Sequence, residues 1–117
     1  MELALERIDD ILVITVPGRV LDAARVDDFK ETVSAILKNE KKAVLDLSKL
    51  DFVDSSGLAA IVSFARTLEA ADGSLRISGL NKQVRWLFEL TKMEAVCGGP
   101  FESKRDAVES LLQVEAQ

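Results

Sequence analysis

The chain has 117 residues, 48% apolar and 30% charged, with a net charge of −5. That is the size and balance of one globular domain over residues 1–117, able to bury a core, and not of a disordered segment. With no His and a single Cys, Cys97, it has no imidazole acid–base pair, no histidine zinc motif, no CxxC pair and no internal disulfide.

In chain order, Leu3 and Leu5 alternate with polar neighbours as a short first strand. Asp9-Asp10 is a hairpin turn lacking the usual Gly. The β-branched, nearly continuous run Ile11 to Val16 predicts a well-buried strand, ended by Pro17-Gly18. Val26, Phe29, Val33, Ile36 and Leu37 form one face of a helix over residues 24–39. Ala43 to Leu47 is the next strand, and Ser48 to Phe52 the loop after it.

A second helical stripe, Leu58, Ile61, Val62, Ala65 and Leu68, starts at Ser55 or Ser56 and ends before Asp72-Gly73. Leu75 and Ile77 mark a short strand. Asn81 caps a third helix carrying Val84, Leu87 and Phe88, with the core expected to take Phe88 ahead of Trp86. Ala95-Val96-Cys97 reads as a last strand, with Cys97 a buried small hydrophobe, closed by Gly98-Gly99-Pro100. Ser103 and Asp106 have capping-box spacing before a final helix with Ala107, Leu111 and Val114 inward. The order β-β-α-β-α-β-α-β-α predicts an initial hairpin, then parallel strands under covering helices.

The acidic balance argues against a nucleic-acid backbone as partner. No apolar run reaches the roughly 18–20 residues of a membrane span. The N-terminus lacks the cationic leader of a secretory signal, so a free-standing cytoplasmic protein is expected.

Chemistry concentrates in Asp51-Phe52-Val53-Asp54-Ser55-Ser56-Gly57-Leu58, at a strand-to-helix junction where α/β proteins meet ligands. One reading is structural: Asp54 or Ser55 caps the helix and Gly57 permits close packing. A nucleophile elbow needs a Gly two residues before the Ser, where Val53 stands, and a His that the chain lacks. A P-loop pattern is absent. The remaining reading makes Ser55 a substrate, its hydroxyl offered to another protein's kinase.

The run from Val44 to Leu58 resembles the signature of the bacterial STAS-domain anti-sigma-factor antagonists, an apolar strand, a short loop and D-S-[ST]-G leading into a helix. Leu75 to Leu80 and Val84 to Thr91 resemble the family's next strand and helix, and Gly18-Arg19-Val20-Leu21-Asp22 its G-x-[LI]-D element. Two departures stand out: one extra residue between Gly18 and Asp22, and Lys92-Met93 where the family has Gly-Leu.

The resemblance implies an α/β, STAS-like fold: a mixed, largely parallel sheet of about four to five strands under about four helices. It implies a non-enzymatic regulator without cofactor or metal, monomeric or weakly dimeric. Its partner would be an anti-sigma factor that is also a switch serine kinase, phosphorylating Ser55, with a PP2C-type phosphatase reversing the mark. Asp22, Asp54, Ser55, Ser56 and Gly57 would contact the partner. The alternatives are a nucleotide-binding module, a scaffold of a signalling assembly and the STAS domain of an anion transporter.

Overall fold

A computed structural model of the chain describes residues 1–92 and 100–116, the last four in backbone only. Strands β1 (Ala4–Ile8) and β2 (Ile11–Thr15) pair antiparallel, with Ile8 opposite Ile11. Asp9 supplies the turn with a left-handed φ of 56°, a conformation Asp tolerates better than most side chains, so no Gly is needed.

Beyond the hairpin the sheet is parallel. Its order is β1-β2-β4-β6, with β4 at Lys42–Asp46 and β6 at Ser74–Ser78. The apolar run of β2 is well buried, as predicted, and the structure covers it on both faces. Leu12 and Ile14 join the core under helices α1 (Val26–Leu37), α2 (Ser55–Ala70) and α3 (Lys82–Leu90). Ile11 and Val13, with Val44, meet Ala107, Val108 and Leu111 of α4 (Lys104–Ala116) on the other side. This period-2 split makes a three-layer sandwich. Phe29 and Phe64 lock α1 to α2 edge-to-face, 5.4 Å between ring centroids.

Helix α1 is two residues shorter at each end than its apolar stripe suggested. The Asn81 cap forms: its side chain accepts the Val84 N–H at 2.8 Å. So does half of the capping box, with Ser103 Oγ accepting from the Asp106 N–H at 3.2 Å. Phe88 is buried, whereas Trp86 is 59% exposed. The expected strand Ala95-Val96-Cys97, the following Gly98-Gly99 and the side chain of Val114 lie outside the described residues. Phe101 adds an isolated parallel bridge to Ser78 at the sheet edge.

One expectation is corrected. Phe52 is not loop but, with Val53, forms β5, which pairs parallel with β3 (Val20–Leu21) in a separate two-stranded ribbon. Strands of two residues carry no readable period. They exist here because residues about 30 positions apart supply each other's backbone hydrogen bonds.

Thr91 is the C-cap of helix α3, and Lys92 follows with a left-handed φ of 58°. Lys92 thus adopts the backbone conformation that a Gly would take at this helix end. A Lys92→Gly variant is expected to gain about 0.5–1 kcal/mol, because relief of the left-handed strain outweighs Gly's larger unfolded-state entropy. Denaturant titration checks it; no gain would mean that Lys92 makes compensating contacts.

Candidate functional site

The β3–β5 ribbon delivers the start of α2. Its inward residues Leu21 and Val53 are buried, and Gly57 lies against both. A Cβ on Gly57 would stand 2.8 Å from Val53 Cγ1 and 3.1 Å from Leu21 Cδ2. Only Gly lets the first turn of α2 approach this closely.

Asp54 is the N-cap, with extended backbone. Its Oδ1 accepts from the Gly57 N–H at 3.0 Å and from the Ser56 hydroxyl at 2.6 Å. Its Oδ2 accepts from the Ala23 N–H at 3.1 Å, and its own N–H donates to the Leu21 carbonyl at 3.1 Å. One carboxylate therefore caps α2, holds a neighbouring hydroxyl and ties down the loop after β3. The Ser56 hydroxyl, then the Gly57 N–H, with the Ala23 N–H adding less, hold Asp54 below the usual carboxylate range.

A folded-state pKa below the unfolded value of about 3.9 contributes stability that is present above that value and lost as pH falls through the folded pKa. An Asp54→Asn variant keeps a capping oxygen but cannot titrate. The stability gap between wild type and this variant is expected to narrow as pH drops below about 4. Thermal melts across that range check it; a constant gap would remove Asp54 as the titrating cap.

The two serines of the junction differ sharply. Ser56 is half-buried with its hydroxyl engaged by Asp54. Ser55, the first residue of α2, is exposed, and its hydroxyl has no hydrogen-bond partner among the described residues.

Asp22 is half-buried, and its Oδ1 accepts from the Ala24 N–H at 3.1 Å. The ladder places it beside Asp54, since Leu21 pairs with Val53. Arg25 braces the segment around Gly18, donating to the carbonyls of Pro17 and Val20. All five predicted residues, Asp22, Asp54, Ser55, Ser56 and Gly57, thus meet at one end of the ribbon.

Sequence reasoning missed the supports of this site. Asn81 Nδ2 donates to the Asp51 carbonyl at 3.1 Å, tying α3 to the loop before β5. Asp46, 5% exposed, accepts from the hydroxyls of Ser48 at 2.8 Å and Ser78 at 3.0 Å. A lone Asp closing an apolar strand was the available signal.

These features define a class: an α/β domain that presents a serine hydroxyl without a hydrogen-bond partner among the described residues, beside two acidic residues, at a helix start. The STAS domain family matches residues 2–107. BtrV of Bordetella bronchiseptica, which carries the name of an anti-sigma factor antagonist, is 30% identical over 92% of this chain and 90% of its own. The chain belongs to the STAS domain family, in the company of relatives named as anti-sigma factor antagonists.

Solved structures share the fold. A Thermotoga maritima protein named in the same way superposes with a TM-score of 0.84 at 22% identity, over 93% of both chains. The anti-sigma factor antagonist SpoIIAA in its unphosphorylated form gives 0.77 at 21% identity, over 96% of this chain and 97% of that one. The phosphorylated form of the Bacillus SpoIIAA gives 0.67 at 20%, over 93% and 98%. No helix among the described residues is long and apolar enough to cross a membrane.

Proposed function

We propose that this protein is an anti-sigma factor antagonist, a single STAS domain acting in the cytoplasm as a binding module and not as an enzyme. In its unphosphorylated state it engages an anti-sigma factor that is also a serine kinase. Phosphorylation of Ser55 by that kinase ends the engagement, and a PP2C-type phosphatase restores it.

The observation that carries this reading is the difference between the adjacent serines: Ser55 stands exposed with a free hydroxyl, while Ser56 is tied to Asp54. A kinase needs an accessible oxygen that it can align with a nucleotide phosphate. A helix start also tolerates the product, because a phosphate there is favoured by the helix dipole and free N–H groups by roughly 0.3–2 kcal/mol. The modified protein should therefore stay folded and change only what it binds. The solved SpoIIAA in phosphorylated form is in keeping with a mark that leaves this fold intact.

Phosphopeptide mapping of protein isolated from its native cells tests the assignment. Trypsin releases Leu50 to Arg66, which carries Ser55, Ser56 and Ser63. Phosphate is expected on Ser55. Phosphate confined to Ser56 or Ser63, or absent in every growth condition, would defeat the reading.

A further inference from the structure

Helices α1 and α2 do not fill the space between them along their whole length. Phe29 and Phe64 close one part of the contact edge to face. Towards the C-terminal ends of both helices the facing side chains are small, with Ser34 on one side and Ser63, Thr67 and Ala71 on the other, and a hollow of about 260 Å³ remains. Its floor is apolar: Leu37, Phe64 and Leu68 line it and are each at most 5% exposed. The volume lies just below the roughly 300–1,000 Å³ of sites for drug-sized molecules, so the space suits a smaller one. Ser63 is eight residues along α2 from Ser55, about 12 Å of helix rise, so this is a separate place on the molecule.

The rim is polar. Ser34 and Lys38 stand four residues apart at the end of α1, and Ser63 and Thr67 four apart on α2, so each pair shares a face. The Ser34 and Ser63 hydroxyls have no hydrogen-bond partner among the described residues, and Lys38 is exposed with no ion pair among them. Glu40, the other charged residue of the lining, is held by both Arg7 nitrogens at 3.1 and 2.8 Å. Arg7, Glu40 and Lys38 together leave one net positive charge at the mouth. The helix ends do not answer it with free acceptors: the Leu37 carbonyl accepts the Glu40 N–H, Leu68 those of Ala71 and Gly73, and Glu69 that of Asp72.

We propose that this hollow binds a small amphipathic carboxylate. Its apolar chain lies on Leu37, Phe64 and Leu68, and its carboxylate sits at the rim beside Lys38 and the Ser34 hydroxyl. Apolar burial supplies the affinity, and a charge-assisted hydrogen bond from the ammonium selects an anion over a neutral or cationic head. The proposal does not depend on the reading of Ser55.

The test is a nitrogen-15 NMR titration of the full chain with sodium octanoate, and with octan-1-ol as the neutral molecule of the same chain length. Octanoate is expected to give saturable shifts confined to residues 34–40 and 63–71, with a dissociation constant of about 0.1–1 mM. Lys38→Met keeps the stem and removes the charge; it should weaken octanoate about 5- to 10-fold and octanol less than twofold. Ser63→Leu fills the hollow from an exposed position and should abolish binding of both without lowering the melting temperature, since Leu is the better helix former. Shifts that do not saturate, or that persist in Ser63→Leu, would place octanoate elsewhere and overturn the proposal. Octanoate affinity unchanged by Lys38→Met would overturn it as well, by removing the anion from the recognition.

Discussion

A Ser55→Asp variant is expected to bind the proposed kinase partner about 100-fold more weakly than wild type while melting at the same temperature. A kinase that phosphorylates Ser55 must hold its nucleotide phosphates within a few ångströms of the Oγ atom. A second anion on that atom then faces anions already present in the partner's site. Two unit charges about 4 Å apart repel by roughly 2–4 kcal/mol at the effective dielectric of a partly exposed interface. That is about 30- to 1,000-fold in affinity. A phosphoserine, at about −1.5 to −2 charge, does more than one carboxylate.

The fold has no reason to respond. Ser55 is exposed at the first position of α2, where acidic side chains are favoured by the helix dipole. Ser55→Ala is the companion: it cannot be phosphorylated but should bind as wild type does. Calorimetry and thermal melts separate these outcomes. Equal affinity of Ser55→Asp and wild type would show that charge at this position is not the switch.

The second large effect is expected at Gly79, which packs against the buried Asp46. Gly79→Ala should destabilise the protein by about 2–4 kcal/mol, lowering the melting temperature by roughly 8–16 °C. Gly79 has a φ of 77°, in the left-handed region. A Cβ there would stand 2.5 Å from Asp46 Oδ1, 2.8 Å from Ser48 Cβ and 2.9 Å from the Ser48 backbone N. The last contact is backbone and cannot swing aside.

Pushing the Asp46 carboxylate away would strip the fully buried Ser78 hydroxyl of its acceptor, and an unpaired buried hydroxyl is costly. The strain runs on through Ser48 into the loop leading to β5. Kinase binding should therefore weaken along with stability. Circular dichroism melts measure the effect; a shift under about 3 °C would mean that the Asp46 cluster yields without cost.

The framework was legible where apolar residues keep a local period. Phe29, Val33 and Leu37, then Leu58, Ile61, Ala65 and Leu68, repeat at helical spacing, and all are buried. The run from Ile11 needed only its β-branched composition to be placed as a well-buried strand. Capping was legible for the same reason. Asp54, Asn81 and Ser103 each accept the N–H three residues on, an interaction encoded within a single turn.

The ribbon was not legible. Val20-Leu21 and Phe52-Val53 are too short to show a period, and each is a strand only because the other lies alongside. That pairing sets Asp22 next to Asp54 despite the extra residue after Gly18, and it turns Phe52 outward beside Val20. Nor could the sequence rank Ser55 against Ser56 on chemical grounds. Both are serines at a helix start; only the fold gives one hydroxyl to Asp54 and leaves the other to solvent.

Taken alone, then, the order of residues determined the helices, the main strands, the caps and the position of the acidic, serine-bearing junction, since each depends on neighbours within a turn or a strand. Tertiary structure decided the two-residue ribbon, the buried Asp46 cluster beneath Gly79 and the exposure of a single hydroxyl. The physical reason is that these arise from contacts between segments roughly 30 residues apart, where chain closure must be offset by packing and hydrogen bonds that no local pattern records.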